Sequence, residues 1–509
     1  MEPSEVLAHP AILQAAWLRI RTWYQKGEWV PQPEYAKWEF DPQAELDQLG
    51  SELSSGTYRP QPMQLIPHAK KKGRLRHYCR PSVRDQVAFT VFGTLLAPLL
   101  EENMFPFSFG NRWYQGLTRK KEGSTNRWQS RNWSLADREI YQPYRRAHGL
   151  FRRVASWTVN SMLGTELPAE SSIGPVTQPS DFGNQLLPSF AQKSYWQNYP
   201  RTERVSWARF DLKLAYPSVK IECLRTAMKA LALSVFNNPY EGLQEISFLL
   251  FSEKLRLIDS SVRVHLLQEG SVIYFIDYLC DLLAAVRYVP FAQSDELYFP
   301  EDADSPSLLP RGDGSIHPGI PTGLAISGML LNVYLHRIDS SMAEWFRERP
   351  PQSELTGQPA AFLRFADDMV LLAANRRVLS DGIDHLIGAI ENPDGTEELN
   401  LAMNWEKAEP TTVAAMLKEF RKPTRSKKNS LSKWTTKGKG KDLLDQVDSS
   451  AITEETRGPF VTELVERFSD LGSEKQFDLL PEQAKVRLSA LTSPYNHEDG
   501  FRLAAAVNR

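Results

Sequence analysis

The sequence predicts an α+β fold in which an antiparallel sheet is backed by helices. The segment from Phe362 to Ala373 places two adjacent carboxylates, Asp367 and Asp368, between two apolar runs, and this order is typical of a β-hairpin. A second strand-like segment, beginning at Val205, also ends in an aspartate, Asp211. Apolar residues at helical spacing predict a helix after that strand, and they are Ile221, Leu224, Met228, Leu231 and Val235.

Further helices are predicted from caps and periodicity. Residues from Ser4 to Tyr24 carry a helical apolar pattern. Asp41 is a favourable N-cap and is followed by proline at the first helical position, which predicts a helix that runs to Leu53 and ends before Gly56. Apolar segments predict additional helices at 243–251, 272–289, 378–390, 460–468 and 481–491.

Composition narrows the class of protein. The chain has 509 residues, of which 41% are hydrophobic, which allows about three domains with sizeable cores. We find no apolar run of about eighteen residues and no signal-peptide pattern, so we expect neither a membrane span nor secretion. The three cysteines, Cys79, Cys223 and Cys280, are far apart in the sequence. Their spacing excludes a disulfide scaffold or zinc knuckle and favours a cytoplasmic location.

Charge is distributed unevenly along the chain. The net charge is −2, which does not by itself indicate a nucleic-acid-binding protein. The segments 70–84 and 421–441 are nevertheless densely basic, and such segments can neutralise phosphates. The second segment is also rich in Ser, Thr and Gly, so the alternative is a solvated linker. We favour phosphate contact.

The three aspartates form the candidate site. Carboxylates at the tip of a buried hairpin are costly unless a cation lies beside them, and a pair of divalent metal ions would supply that charge. The alternative for Asp367 and Asp368 alone is an ordinary solvated acidic turn. A second strand that ends in Asp211 favours the metal site.

The order of these segments resembles the palm of reverse transcriptases. Gly319–Gly323 lies between the two acidic segments, as the loop that backs primer and template does in that family. Upstream segments at 66–87 and 105–112 resemble its fingers motifs, and 399–407 resembles the motif that ends in a palm lysine. The ordered match runs from about Leu49 to Lys407. With threonine at position 322, the loop is most like that of the bacterial unknown-group and abortive-infection reverse transcriptases, which act in antiphage defence.

The resemblance implies a right-hand polymerase fold with fingers, an RRM-like antiparallel-sheet palm and an α-helical thumb. It implies an insertion between Arg112 and Asp211. The expected domains are an N-terminal helical extension (1–55), fingers (56–204), palm (205–415), basic linker (416–445) and helical thumb (446–509).

The resemblance also implies two-metal nucleotidyl transfer with two Mg²⁺ ions, or Mn²⁺ in their place. Asp211 and Asp367 would be direct ligands, Asp368 would assist or ligate one metal ion transiently, and the main-chain carbonyl of Leu212 would add an oxygen. Lys407 would be the general acid that protonates pyrophosphate, the alternative being an ordinary surface lysine.

Further residues are assigned to substrates by the same resemblance. Tyr216 would exclude the ribose 2′-hydroxyl, unless it is a packed core tyrosine. Lys70 (or Lys71 or Lys72) and Arg76 would grip the triphosphate. Gly323 is assigned to the nucleotide site, and the template or primer would contact Gly319, Pro321, Thr322 and Arg112.

The function implied is RNA-directed DNA polymerase activity on a dedicated non-coding RNA, with dNTPs as substrates and cDNA as product. Retron-type or intron-type reverse transcriptases are alternatives within the family. An RNA-templated RNA polymerase and a catalytically idle RNA-binding scaffold are alternatives outside it. Homo-oligomerisation is left open by the sequence.

Overall fold

The computed structural model is a helix-rich mixture of helices and strands. It describes residues 2–25, 32–69, 75–114, 117–122, 125–130, 135–163, 205–234, 269–290, 319–347, 360–391, 399 and 401–404. The helices are α1 (Pro3–Leu7), α2 (Pro10–Gln25), α3 (Gln32–Phe40), α4 (Pro42–Ser54), α5 (Val83–Glu102), α6 (Tyr144–Leu163), α7 (Ile221–Ser234), α8 (Glu269–Ala284), α9 (Ser327–Arg347) and α10 (Arg376–Glu391).

The strands form small sheets. They are β1 (Met63–Ala69), β2 (Leu75–Arg80), β3 (Leu117–Glu122), β4 (Thr125–Ser130), β5 (Ser206–Phe210), β6 (Leu212–Lys213), β7 (Tyr288–Pro290), β8 (Ala360–Phe365), β9 (Asp368–Ala373) and β10 (Ala402–Met403). β1 pairs antiparallel with β2 and parallel with β7, β3 pairs with β4, and β6 pairs with β10.

The hairpin sheet, which consists of β5, β9 and β8 in that order, contains the predicted acidic segments. β9 is the middle strand and is antiparallel to both neighbours, with Phe210 opposite Met369 on one side and Phe365 opposite Asp368 on the other. Helix α10 packs against β9 and β5, while α6 packs against β8. The predicted antiparallel sheet backed by helices is therefore confirmed.

Helix α5 lies in the core. Its segment Val83–Glu101 is long and apolar enough to cross a membrane by length and composition, but 94% of its most apolar window is buried inside the fold. Ser82 caps its N-terminus by accepting a hydrogen bond from the Asp85 amide at 3.0 Å. Helices α2, α8 and α7 pack around α5, which marks it as a core helix of the fold.

The N-terminal prediction is largely confirmed. Asp41 caps α4 by accepting a hydrogen bond from the Ala44 amide at 3.1 Å, and Gly56 follows the helix with a φ of +69°. The pattern over Ser4 to Tyr24 is divided into α1 and α2, because Pro10 lacks an amide hydrogen and begins a new helix.

One predicted boundary is wrong. The helix predicted over 272–289 ends at Ala284, and its last apolar residues instead form β7, which pairs with β1. The apolar β-branched residue Val289 suits a strand as well as a helix, and pairing with a distant strand decided between them. The predicted helices at 243–251, 460–468 and 481–491, the basic linker and the thumb lie outside the described residues.

Candidate active site

The three predicted carboxylates lie at one end of the hairpin sheet. Asp211 directly follows β5, Asp367 is in the turn between β8 and β9, and Asp368 begins β9. Because Phe210 pairs with Met369, the register continued by one residue places Asp211 beside Asp368. Neighbouring strands are about 4.8 Å apart, so distant parts of the sequence meet at this sheet end.

Asp368 is paired with an arginine that the sequence analysis missed. Arg209 Nε donates to one carboxylate oxygen at 2.7 Å and Nη2 donates to the other, with the two side chains 38% and 22% exposed. Arg209 and Asp368 are diagonal neighbours on one face of antiparallel strands. One of the three carboxylates therefore has a cation supplied by the chain itself.

Asp211 is fixed by the segment that leads towards Lys407. The Asn404 amide donates to the Asp211 carbonyl oxygen at 2.7 Å, and Asn404 Nδ2 donates to a carboxylate oxygen at 3.2 Å. Leu212 pairs with Met403 just beyond. Asn404 thus orients the first aspartate, while Lys407 lies outside the described residues.

Arg364 supports the acidic turn from beneath. Its fully buried guanidinium forms a two-pronged ion pair with Asp339 of α9 and donates to Asn332 Oδ1 at 2.9 Å. It also donates to the carbonyl oxygen of Ala366 at 3.0 Å, inside the turn. Ala366 has a φ of +54°, which a non-glycine residue adopts at some cost. The buried arginine holds the turn in this conformation.

The segment before Arg112 packs along the open edge of β8. The Phe109 amide donates to the Arg364 carbonyl at 2.8 Å, and the Arg364 amide donates to the Phe107 carbonyl at 2.9 Å. A Cβ at Gly110 would overlap the amide nitrogen of Ala366. Glycine is required there because the backbone approaches the acidic turn so closely.

The loop at 319–323 joins several predicted motifs. The Ile320 amide donates to the Tyr216 carbonyl at 3.0 Å, and Gln86 Nε2 donates to the Gly323 carbonyl at 2.7 Å. A Cβ at Gly319 would overlap the backbone of Pro217. The predicted loop is therefore packed between the first acidic segment and the segment that begins α5.

We expect Gly323→Ala to destabilise the protein, because its Cβ would overlap the carbonyl oxygen of Cys79. The cost should be about 2 kcal/mol in the free energy of unfolding, as for other overpacked sites, measured by denaturant titration. Gly388→Ala in α10 is the matched control, since nothing lies within 4 Å of the added Cβ. It should stabilise the helix by roughly 0.5–1 kcal/mol. Equal stability of the two variants would contradict the packing described.

Tyr216, the predicted sugar-excluding residue, is half-buried beside this loop. Its hydroxyl accepts a hydrogen bond from Asn111 Nδ2 at 3.4 Å. Asn111 has a φ of +52° and packs closely on Gly328 of α9. Tyr216 is therefore contacted by the segment at 105–112. Both interpretations of this residue, exclusion of the ribose 2′-hydroxyl and simple core packing, remain predictions.

Thr322 is half-buried at the same loop, with Oγ1 3.8 Å from Cys79 Sγ. Burial raises the pKa of the Cys79 thiol to about 11. The thiolate is then scarce at neutral pH, which disfavours nucleophilic reaction at this sulfur.

The cationic residues predicted to bind phosphate or template differ in how much the structure shows of them. Arg112 is 13% exposed and forms an ion pair with Glu101, while its Nη1 donates to the Ser108 carbonyl at 2.9 Å. These contacts use Arg112 inside the fold, and its contact with template stays a prediction. Arg76 is in β2 opposite His68, and Lys70 lies outside the described residues.

The donors at the sheet end suit Mg²⁺ in chemical type. Magnesium prefers oxygen and commonly takes one or two carboxylates together with substrate phosphates, which Asp211, Asp367 and the Leu212 carbonyl could provide. Within the described part of the chain, no three Asp, Glu, His or Cys side chains are grouped closely enough to hold a metal ion. Asp368 pairs with Arg209, and the roles of Asp211 and Asp367 as metal ligands stay predictions.

The chain is distantly similar to solved structures. No protein-family model matches the chain, and no curated protein matches it. Among solved structures, telomerase from Candida albicans in complex with a TWJ fragment of telomeric RNA aligns with 12% identity and a TM-score of 0.35, covering 86% of this chain and 55% of that one.

Two telomerase structures from Candida tropicalis align similarly. The apo structure has 13% identity, a TM-score of 0.34 and coverage of 88% and 64%; the structure with the TWJ fragment has 12% identity, a TM-score of 0.28 and coverage of 87% and 65%. The chain thus spans 55–65% of the length of these telomerases.

Proposed function

We propose that the protein is a nucleotidyltransferase of the reverse-transcriptase type that makes DNA on an RNA template. The observation that carries this proposal is the position of Asp211 and of the Asp367–Asp368 turn at the same end of the hairpin sheet. The loop at 319–323 contacts the segment that follows Asp211, because the Ile320 amide donates to the Tyr216 carbonyl. A sheet end that bears acidic residues, beside a tightly packed loop, suits transfer of a nucleotide to a strand end.

The residues would divide the work as follows. Asp211, oriented by Asn404, and Asp367, held by the Arg364-supported turn, would bind the metal ions. Such ions, when bound, activate the attacking hydroxyl and stabilise the leaving pyrophosphate. Asp368 would stay paired with Arg209 and limit the excess negative charge at the site. Tyr216 would set the sugar preference from the side.

The finer assignment rests on the sequence resemblance alone. Thr322 in the loop supports an enzyme of the bacterial unknown-group or abortive-infection type. On that basis we propose that the template is a dedicated non-coding RNA, that dNTPs are the substrates and that the cDNA product serves antiphage defence in the cytoplasm.

Tyr216→Ala should lower the preference for dNTPs over NTPs by at least about tenfold, because a small side chain would admit the 2′-hydroxyl. The measurement is incorporation of each labelled nucleotide by the purified protein with Mg²⁺ and a primed RNA template. Tyr216→Phe is the matched control and should keep the preference, since the ring and not the hydroxyl blocks the sugar. Unchanged selectivity in Tyr216→Ala, or a wild-type preference for NTPs, would overturn the assignment of Tyr216 and favour an RNA polymerase.

A further inference from the structure

Helix α6, which no predicted motif covers, lies against the strand that leads into the acidic turn. Phe151 is almost fully buried and anchors the helix, with its ring centroid 5.8 Å from Phe365 and 5.9 Å from Phe109. Phe365 is the last residue of β8 and immediately precedes the turn that holds Asp367. The helix is therefore fixed beside the candidate site.

An aromatic ledge, formed by Tyr144, His148 and Phe365, results from this packing. Tyr144 and His148 are one helical turn apart and stack with ring centroids 5.2 Å apart and planes inclined by 10°. Both meet Phe365 edge-on, at 5.5 Å and 5.2 Å. Tyr144 is nevertheless 62% exposed, although most large apolar and aromatic side chains of the described chain are buried. The outermost ring of the ledge thus presents a wide aromatic surface to solvent.

Charged groups surround the ledge. Partial burial raises the pKa of Tyr144, and the Asp368 carboxylate raises it further, while Arg152 and Arg209 act in the opposite direction. Arg209 is paired with Asp368, which lies opposite Phe365 of the ledge in the strand register. Tyr144, His148 and Arg152 follow one another at intervals of four residues, so they share one face of α6.

This combination matches the chemistry of nucleic-acid strands. Aromatic rings that stack bases, together with cations beside the backbone, are the common elements of single-strand binding surfaces. An aromatic cluster that only packed the core would not need an exposed ring such as Tyr144. A membrane-binding or protein-binding surface would not need to lie next to the carboxylates proposed to react. Because the ledge lies beside the turn that holds Asp367, it would contact the end of the nucleic-acid strand that reacts there.

We propose that the aromatic ledge stacks the terminal nucleobase of the nucleic-acid strand that is extended, with Arg152 beside its phosphate. This inference rests on the proposed function for the identity of the strand, and it deepens that function by naming the surface that aligns the reacting end. Tyr144 provides the exposed stacking face. His148 and Phe365 support the ring from below and from the side.

The test is binding of a DNA primer with 2-aminopurine at its 3′ end, annealed to an RNA template, without nucleotides. Tyr144→Ala should weaken binding about tenfold, the loss expected when one base-stacking ring is removed. It should also abolish the change in 2-aminopurine fluorescence that stacking of the terminal base on the ring produces. Tyr144→Phe should retain both. Tyr144→Leu keeps an apolar side chain without a stacking plane and should behave like the alanine variant.

Phe40→Ala is the matched control, since Phe40 is 92% exposed on α3, a helix that packs against α4 and α5. It should bind as the wild type does. Wild-type affinity and fluorescence in both Tyr144→Ala and Tyr144→Leu, or failure of the wild type to bind the probe, would overturn the ledge. Because the assay requires no catalysis, Tyr144-dependent binding without any incorporation would sustain the ledge and reject the polymerase. Normal incorporation together with binding that does not depend on Tyr144 would sustain the polymerase and reject the ledge.

Discussion

Asp367→Ala is expected to abolish nucleotide incorporation while leaving the protein folded. Asp367 lies in a turn whose conformation the Arg364 guanidinium holds through the Ala366 carbonyl oxygen. Its carboxylate is one of two that we expect to bind metal ions, whose charge stabilisation is worth several kcal/mol in such reactions. A loss of about 4 kcal/mol lowers the rate about a thousandfold.

The measurement is the initial rate of labelled dNTP incorporation by the wild type and the variant at equal concentration. Asp384→Ala provides a control of the same chemical change, because Asp384 is an exposed carboxylate on α10. That variant should retain the wild-type rate, and both variants should unfold at the wild-type denaturant concentration. Incorporation by Asp367→Ala within tenfold of the wild type would reject the acidic turn as the catalytic centre.

Asp339→Ala is expected to cause the largest loss of stability of any single change considered. Asp339 and Arg364 are both fully buried, and they form a two-pronged ion pair that joins α9 to β8. Removing one partner leaves an uncompensated buried charge, which typically costs about 3–5 kcal/mol. Because Arg364 also holds Ala366, the acidic turn should lose its conformation and incorporation should fall with stability.

Denaturant unfolding of Asp339→Ala and Glu222→Ala makes the comparison. Glu222 is 76% exposed and pairs with Arg225 at 3.0 Å, and Arg225 also pairs with Asp277 and Asp281. Because the Glu222 carboxylate is exposed, we expect its pair with Arg225 to contribute about 0–1 kcal/mol. Losses of similar size in the two variants would show that the buried pair does not support the turn as described.

The sheet and its acidic end could be predicted because the sequence signals are local. Two apolar runs around Asp367 and Asp368 specify a hairpin, and the strand-like segment before Asp211 specifies a third strand of similar length. Asp41 and Pro42 likewise mark the start of α4 without reference to the rest of the chain. Local patterns of this kind need no knowledge of tertiary contacts.

The contacts that complete the site depend on tertiary structure and could not be predicted. Arg209 meets Asp368 only in the observed strand register, and a shift of one residue would turn the two side chains to opposite faces. Asn404 reaches Asp211 because β10 pairs with β6. A four-residue spacing does relate Tyr144 to His148, but only the packing of α6 on β8 places them beside the turn.

The most direct test of the central claim uses the protein purified with the nucleic acid that it retains. Labelled dNTPs or NTPs are supplied with Mg²⁺, and the retained RNA and the product are both sequenced. We expect a DNA product complementary to a retained RNA, made from dNTPs and absent with Asp367→Ala. A product made only from NTPs, a product unrelated to the retained RNA, or no incorporation of any nucleotide would contradict it.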